Sequence, residues 1–234
     1  MKACLINIFR SINRRLFKTR WYDLRYTKPV SDVFGLDRGL PIDRFYIERF
    51  LEKNSQLIKG TVLEIGDDFY SRRYGSDIIS QEILHFVDGN PKATITGDLT
   101  NLDTLKPGLA DCFICTQTLN FIYDAQAAVK GIHYLLKEKG VALVTVAGIS
   151  QISRYDMDRW GDYWRFTDKS VRQLFSNVFG PDNIDINYYG NVLASVAFLE
   201  GISADELTAD ELLSTDQNYQ LILTVKVVKI DGIG

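Results

Sequence analysis

Apolar residues along the chain fall into two kinds of run, and the two kinds alternate. Short continuous runs occupy residues 61–65, 83–87, 93–96, 111–115, 141–146, 184–188 and 221–228. Several are closed by turn residues, as Gly66 closes the first and Asp88-Gly89-Asn90-Pro91 the second. Runs this short, bounded in this way, predict strands buried on both faces. Between them, apolar residues recur at roughly helical spacing: Ile42, Phe45, Ile47, Phe50, Leu51 and Leu57, then Ile122, Ala125, Val129, Ile132 and Leu136, then Val171, Leu174, Phe175 and Val178. Those spacings predict amphipathic helices. Pro41 stands where a first helical turn tolerates it, and Thr167 is a cap for the last of the three. Lys137, Lys139 and Gly140 mark the expected end of the second. Residues 192–199 and 205–213 also read as helical, and 30–41, broken by Gly35, Gly39 and Pro41, as loop. Strands alternating with helices, with two strands adjacent at the end, predict one doubly wound α/β domain.

Composition narrows the class without changing that picture. Of 234 residues, 46% are apolar and 24% charged, a balance that excludes disordered and collagen-like chains. No apolar run reaches the roughly 18 residues of a membrane-spanning helix. Three cysteines, Cys4, Cys112 and Cys115, make no disulfide framework and fit a reducing, cytoplasmic setting. Charge divides the chain in two. Residues 1–30 carry eight Lys/Arg and one acid, Asp23, whereas 31–234 carry ten more acids than bases. Leu5, Phe9, Ile12 and Leu16 put an apolar stripe on this basic arm. The arm has three readings: a helix packed on its own domain, a helix lying on an anionic membrane surface, or a nucleic-acid contact, the least expected of the three.

In a doubly wound sheet, ligands sit beyond the carboxyl ends of the strands, near the point where strand order reverses. The first strand runs into Glu64-Ile65-Gly66-Asp67-Asp68, the second into Asp88-Gly89, the third into Gly97-Asp98-Leu99 and the fourth into Thr116-Gln117-Thr118-Leu119-Asn120. A carboxylate after the second strand, 24 residues beyond Glu64, is placed to accept both hydroxyls of a ribose. The alternative is that Asp88 and Asp98 only cap turns. Cys112 and Cys115 are three apart on a strand and so point to opposite faces, which disfavours a shared metal. His85 and His133 read as structural, and no metal site is expected. Residues 153–167 follow the fifth strand and are dense in Arg154, Tyr155, Asp156, Asp158, Trp160, Asp162, Tyr163 and Trp164. Aromatic faces and carboxylates of this kind suit an acceptor with rings and hydroxyls, or else simply a lid over the core.

Val62-Leu63-Glu64-Ile65-Gly66, Val87-Asp88, Gly97-Asp98-Leu99, residues 111–119, and Leu135-Leu136-Lys137 before Gly140-Val141 resemble the ordered motifs of class I S-adenosylmethionine-dependent methyltransferases. More narrowly, residues 37–49, Cys115-Thr116-Gln117-Thr118-Leu119, residues 149–167 and Tyr189-Gly190-Asn191-Val192-Leu193 resemble a bacterial methyltransferase family often met beside glycan-assembly enzymes. The resemblance implies a Rossmann-like, mainly parallel sheet of about seven strands with the last antiparallel. It implies S-adenosyl-L-methionine as cofactor, with Glu64, Gly66 and Asp67 in its first loop, Asp88 and Gly89 at its ribose, Asp98 and Leu99 beside its adenine, and Thr116 and Gln117 at the transfer end. The class has further glycines after the first, where this chain has Asp67, Asp68, Phe69 and Tyr70. Arg72, or Arg73, is then the expected partner of the cofactor's carboxylate. A small-molecule or glycan acceptor would meet Arg154, Tyr155, Trp160 and Trp164, with Asp156 as first and Asp158 as second candidate for the catalytic base.

Two other readings stand beside this one. A non-catalytic binding module would keep the fold with a degenerate cofactor loop. A nicotinamide-dependent reductase is disfavoured, because no G-x-G-x-x-G follows the first strand. For the arm, the expectation is direct: deleting residues 1–28 abolishes binding to anionic vesicles in a flotation assay at low salt. An intact protein that ignores such vesicles contradicts the membrane reading.

Overall fold

The computed structural model describes residues 25–230. The basic arm up to Leu24 and Cys4 lie outside the described residues. Seven strands form one sheet: β1 (Gly60–Ile65), β2 (Ile78–His85), β3 (Ile95–Thr96), β4 (Ala110–Thr116), β5 (Leu136–Ala147), β6 (Ile184–Tyr189) and β7 (Ile222–Val228). Their order is β3-β2-β1-β4-β5-β7-β6. β1, β2, β3, β4 and β5 pair in parallel, while β7 runs antiparallel to both β5 and β6. The helices are α1 (Ile42–Lys53), α2 (Phe69–Tyr74), α3 (Ala125–Leu135), α4 (Arg154–Met157), α5 (Asp168–Phe179), α6 (Val192–Leu199) and α7 (Ala209–Leu213).

The period of two along the central strands divides the core between the faces. Leu63, Phe113, Cys115, Ala142 and Val144 pack with Val129 and Ile132 of α3 and with Val171 and Phe175 of α5. Val62, Cys112, Ile114, Val141 and Leu143 pack on the opposite face with Ile47, Phe50 and Leu51 of α1. Cys112 and Cys115 therefore sit in different core clusters, as their spacing predicts. A third cluster joins Ile42 and Tyr46 of α1 to Ala194, Ala197 and Phe198 of α6. Tyr46 is fully buried there, and its hydroxyl donates to the Leu212 carbonyl at 2.7 Å. Loss of water pushes that phenol up to about 12.

Some boundaries differ from the sequence reading, each for a local reason. β2 begins at Ile78 and stops at His85, leaving Phe86 and Val87 exposed. Its polar middle, Ser80-Gln81-Glu82, is held by pairing with β1 rather than by burial, so it breaks the apolar run and the first part of the strand goes uncounted. α3 ends at Leu135, because Leu136 already pairs with Ala110 and Lys137 reaches the Asp111 carboxylate at 2.6 Å. Residues 204–213 hold a single turn and then α7, since two capping boxes, Ser203 with Glu206 and Thr208 with Glu211, each start a new helix. The Thr167 cap is present, completed by Ser170.

Gly131 lies in α3 where the helix crosses the backbone of Leu99. A Cβ there would stand 2.0 Å from the Leu99 carbonyl oxygen. Glycine to alanine within a helix ordinarily gains up to about 1 kcal/mol. Here overlap with rigid backbone reverses the sign, and Gly131→Ala lowers stability by about 1–3 kcal/mol. Urea unfolding measures it; an unchanged or raised midpoint contradicts the close approach.

Candidate functional site

A cavity of about 1210 Å³ opens beyond the carboxyl ends of β1, β4 and β5. That is where strand order reverses, between β1 and β4. One wall is the loop after β1, with Glu64, Gly66 and Asp67, and the next is the loop after β4, with Thr116, Gln117 and Asn120. Residues 150–156 with Asp162 and Arg165 form the roof, and Asp32, Phe34, Asp43 and Arg44 the far side.

Glu64 is buried and caps the start of α2. Its carboxylate accepts from the amides of Tyr70 and Ser71 at 3.0 and 2.8 Å and from the Ser71 hydroxyl at 2.6 Å. Burial pushes this carboxyl up, and the Ser71 bonds pull back against it. Gly66 has φ +81°, a left-handed conformation, and a Cβ there would meet nothing within 4 Å. Its carbonyl accepts from Asn90 Nδ2 at 2.7 Å, which ties the loop after β2 to the loop after β1. Asp68, where the class has glycine, is buried and ion-paired with Arg72. Arg73 pairs with Glu48 at 3.1 Å. Neither arginine reaches the cavity wall. Asp68 holds Arg72 away from the cavity wall, so the structure does not bring it to the expected ligand carboxylate.

The loop after β4 is strained. Gln117 is a non-glycine residue at φ +48°, a conformation that costs about 1–3 kcal/mol. Its amide is held by the Thr145 carbonyl at 2.8 Å. Asn120, 3% exposed, follows on the same wall. Its carbonyl accepts from the amides of Tyr163 and Trp164 at 2.8 and 3.2 Å, fastening the 153–167 segment to β4. Its side-chain Oδ1 has no partner. In the sequence Asn120 is one residue of the run after the fourth strand with no role attached, because no spacing reveals an unpaired atom.

The roof is held by one buried carboxylate. Asp162 accepts from Arg165 at 2.5 and 2.8 Å and from the Ser153 amide at 3.1 Å. Arg165 also donates to the carbonyls of Ser150 and Gln151. Burial pushes the Asp162 carboxyl up, but the Arg165 and Ser153 bonds outweigh it and hold it below its ordinary value. Asp156 is on the wall, accepting the Ser153 hydroxyl at 2.6 Å on Oδ2. Asp158 is exposed, off the wall, and paired with Arg154 at 3.3 Å. Arg154 and Tyr155 do line the cavity. Trp164 does not: its indole donates to the carbonyls of Ile122 and Tyr123 and its ring stacks on Tyr123. Trp160 packs edge-on against His85 and Phe86 at the end of β2, 5.8 and 6.1 Å between centroids. His85, read as structural, is thus one of the residues that anchor the segment.

The loops after β2 and β3 lie outside this wall. Asp88 is exposed and accepts from the Thr96 hydroxyl at 2.8 Å, and Gly89 is exposed beside it. Asp98 accepts from the amide and hydroxyl of Thr100, both at 2.8 Å, and Leu99 is buried in the core. Asp98 thus bonds within its own turn, and Asp88 bonds across to the end of β3. Asp43 was not foreseen at all. It lines the cavity from the first turn of α1, where loss of water pushes its carboxyl up against the pull of the Arg44 amide and charge. Among the described residues no His, Cys, Asp and Glu cluster could hold a metal.

No protein-family model and no curated protein matches this chain. Solved structures do. One is a SAM-dependent methyltransferase from Archaeoglobus fulgidus, 9% identical, with 80% of this chain and 94% of that one covered and a TM-score of 0.50. The [4+2]-cyclase SpnF is 13% identical over 83% of this chain and 84% of its own, with a TM-score of 0.52. The CurJ carbon methyltransferase is 12% identical with a TM-score of 0.51; the match covers 85% of this chain and 57% of that one. At such identities the likeness is one of fold, and the fold is that of the class I methyltransferases. A cyclase among the matches shows why reaction must be argued from the site.

Asp162→Asn removes the charge that holds the roof. The amide protons of residues 153–165 then exchange about 10–100-fold faster, the scale of a lost hydrogen bond to a charged group. The carboxyl is depressed in the folded state, so its stabilisation is complete above the ordinary carboxylate range. It fades as pH falls through the lower folded value. Wild-type exchange in the variant contradicts this role.

Proposed function

We propose that this protein is an S-adenosylmethionine-dependent methyltransferase that O-methylates a sugar or glycan-type acceptor. The observation that carries the reading is the cavity at the strand-order reversal of a methyltransferase-type sheet, with left-handed Gly66 open beside it. A left-handed loop position that glycine adopts without steric cost, with room where its Cβ would be, fits close approach of a ligand. Gly66, Asp67, Thr116 and Gln117 would hold the cofactor on that wall, with Asp88 and Gly89 assigned to its ribose by resemblance. Bound there, S-adenosylmethionine would supply an electrophilic methyl group on sulfur.

The chain's own work is then to orient, to exclude water and to move one proton. The roof of residues 150–156 with Asp162 and Arg165 covers the acceptor and keeps its oxygen in line. Asp156 accepts the acceptor's hydroxyl proton as the oxygen takes the methyl group. Ser153 orients its carboxylate through Oδ2. The glycan class of the acceptor rests on the narrower family resemblance, and the arm's charge supports a site of action at an anionic cytoplasmic membrane surface. A binding module without catalysis is favoured by one observation, the engagement of Arg72 and Arg73 by Asp68 and Glu48.

Asp156→Asn keeps shape and S-adenosylhomocysteine affinity but lowers turnover by about 10²–10⁴. Mass-detected methyl transfer to a panel of nucleotide sugars, lipid-linked sugars and short glycans measures it. Normal turnover in the variant removes Asp156 as base, and a wild-type protein that methylates nothing in the panel favours the binding module.

A further inference from the structure

The outward face of α6 is apolar. The helix reads Val-Leu-Ala-Ser-Val-Ala-Phe-Leu, without a charged residue. Ala194, Ala197 and Phe198 pack with Ile42 and Tyr46 of α1, while Val192, Leu193 and Leu199 are 53, 45 and 41% exposed. Val192, Val196 and Leu199 recur at spacings of four and three, so they form one stripe. A helix apolar all round is ordinarily covered on every side. Exposed Leu213 stands beside its first turn, where Asn191 Nδ2 donates to the carbonyls of Glu211 and Ser214 at 2.6 and 2.7 Å. Exposed Val30 stands beside its last turn, where the Ser31 amide donates to the Glu200 carbonyl at 3.0 Å.

The frame of this stripe is acidic. Residues 192–217 hold six acids, Glu200, Asp205, Glu206, Asp210, Glu211 and Asp216, and no Lys or Arg. A second copy would set its own acids against these, and an anionic bilayer would be repelled by them. A basic segment with an apolar stripe would be attracted. The basic arm is such a segment: the described chain opens at Arg25, six residues before the Ser31 bond to the end of α6. From Leu5 to Leu16 the arm's stripe would span about 16 Å as a helix, against about 12 Å for α6 with Leu213 and Val30 beyond its ends. Residues 17–29 reach roughly 40 Å when extended, enough to carry the stripe there.

We propose that the basic arm docks on its own domain, with Leu5, Phe9, Ile12 and Leu16 seated on the outward stripe of α6. Arg10, Arg14 and Lys18 fall on the side of the arm away from its stripe. They stay free to meet an anionic surface by charge, without insertion of apolar side chains. The seat adjoins the cavity. Val33, Phe34 and Leu36, which follow the arm, line its far side, and Phe34 packs on Phe198 of α6 with ring centroids 5.9 Å apart. A docked arm therefore braces the loop that forms that wall. None of this depends on the methyl-transfer reading.

The test uses the intact protein in solution, with trypsin cleavage at Arg10, Arg14 and Lys18 and with hydrogen exchange. Val192→Ser combined with Leu199→Gln removes the seat without adding a cleavage site. It should speed cleavage of the arm at least about tenfold, because proteolysis follows the population of the undocked form. Phe9→Asn combined with Ile12→Asn leaves the described domain untouched. It should speed exchange of the amides of residues 192–199 by about the same factor. Either rate left at its wild-type value overturns the inference. Should the α6 variant lose its fold, seen as a lost melting transition, the arm variant decides alone. Protection of the arm that falls on dilution overturns the inference in favour of a second copy. Protection that appears only with phosphatidylglycerol vesicles overturns it in favour of a lipid surface.

Discussion

The pairing of β1 with β4 decides where this protein can do chemistry. From that seam the sheet grows outward in both directions, through β2 and β3 on one side and through β5, β7 and β6 on the other. The connections therefore leave the two central strands toward opposite faces, and their carboxyl ends are left without a crossing helix between them. Val62↔Cys112, Leu63↔Phe113 and Glu64↔Ile114 set that register, with buried side chains on both faces to enforce it. A one-residue slip would exchange the two faces of β1 or β4 and unpack both core clusters. Everything at the site inherits its position from this pairing, including Gly66 at the end of one strand and Gln117 at the end of the other.

Covering the gap falls to a segment with little secondary structure of its own. Residues 150–166 contain one short helix, α4, and take their shape from polar contacts. Asp162 grips Arg165 and Ser153, and the Asn120 carbonyl receives Tyr163 and Trp164. Trp160 adds an apolar anchor against His85 and Phe86. A roof of this kind is fixed by a few strong bonds rather than by core area, which is how a cover can be both ordered and removable. Its aromatics divide accordingly. Tyr155 faces the cavity, while Trp160 and Trp164 are used in holding the segment down.

Period and punctuation made the framework legible in advance. The buried runs around Val62, Phe113 and Val144, the opposed Cys112 and Cys115, and the Thr167 cap all follow from local rules that the fold obeys. The second strand is half hidden in the sequence, because Ser80, Gln81 and Glu82, held by backbone pairing, cut Ile78 and Ile79 off from the apolar run. The site was legible in its address more than in its members. Reading the residues after each strand located Gly66, Gln117 and Asp156 on one cavity, yet it could not show that Asp68 engages Arg72 or that Asp98 closes its own turn. Those outcomes depend on competition between nearby partners, which only coordinates display. Asn120 and Asp43 are the converse case, ordinary residues in sequence that acquire a role from what surrounds them.

Much of this picture turns on whether the cavity at the β1–β4 seam receives S-adenosylmethionine, as proposed. A calorimetric titration of the intact protein with S-adenosylmethionine, set beside the same titration with NADH, tests it most directly. Saturable binding of one S-adenosylmethionine per chain, with no binding of NADH, is the expected result. An absence of S-adenosylmethionine binding, or saturable NADH binding in its place, would contradict it.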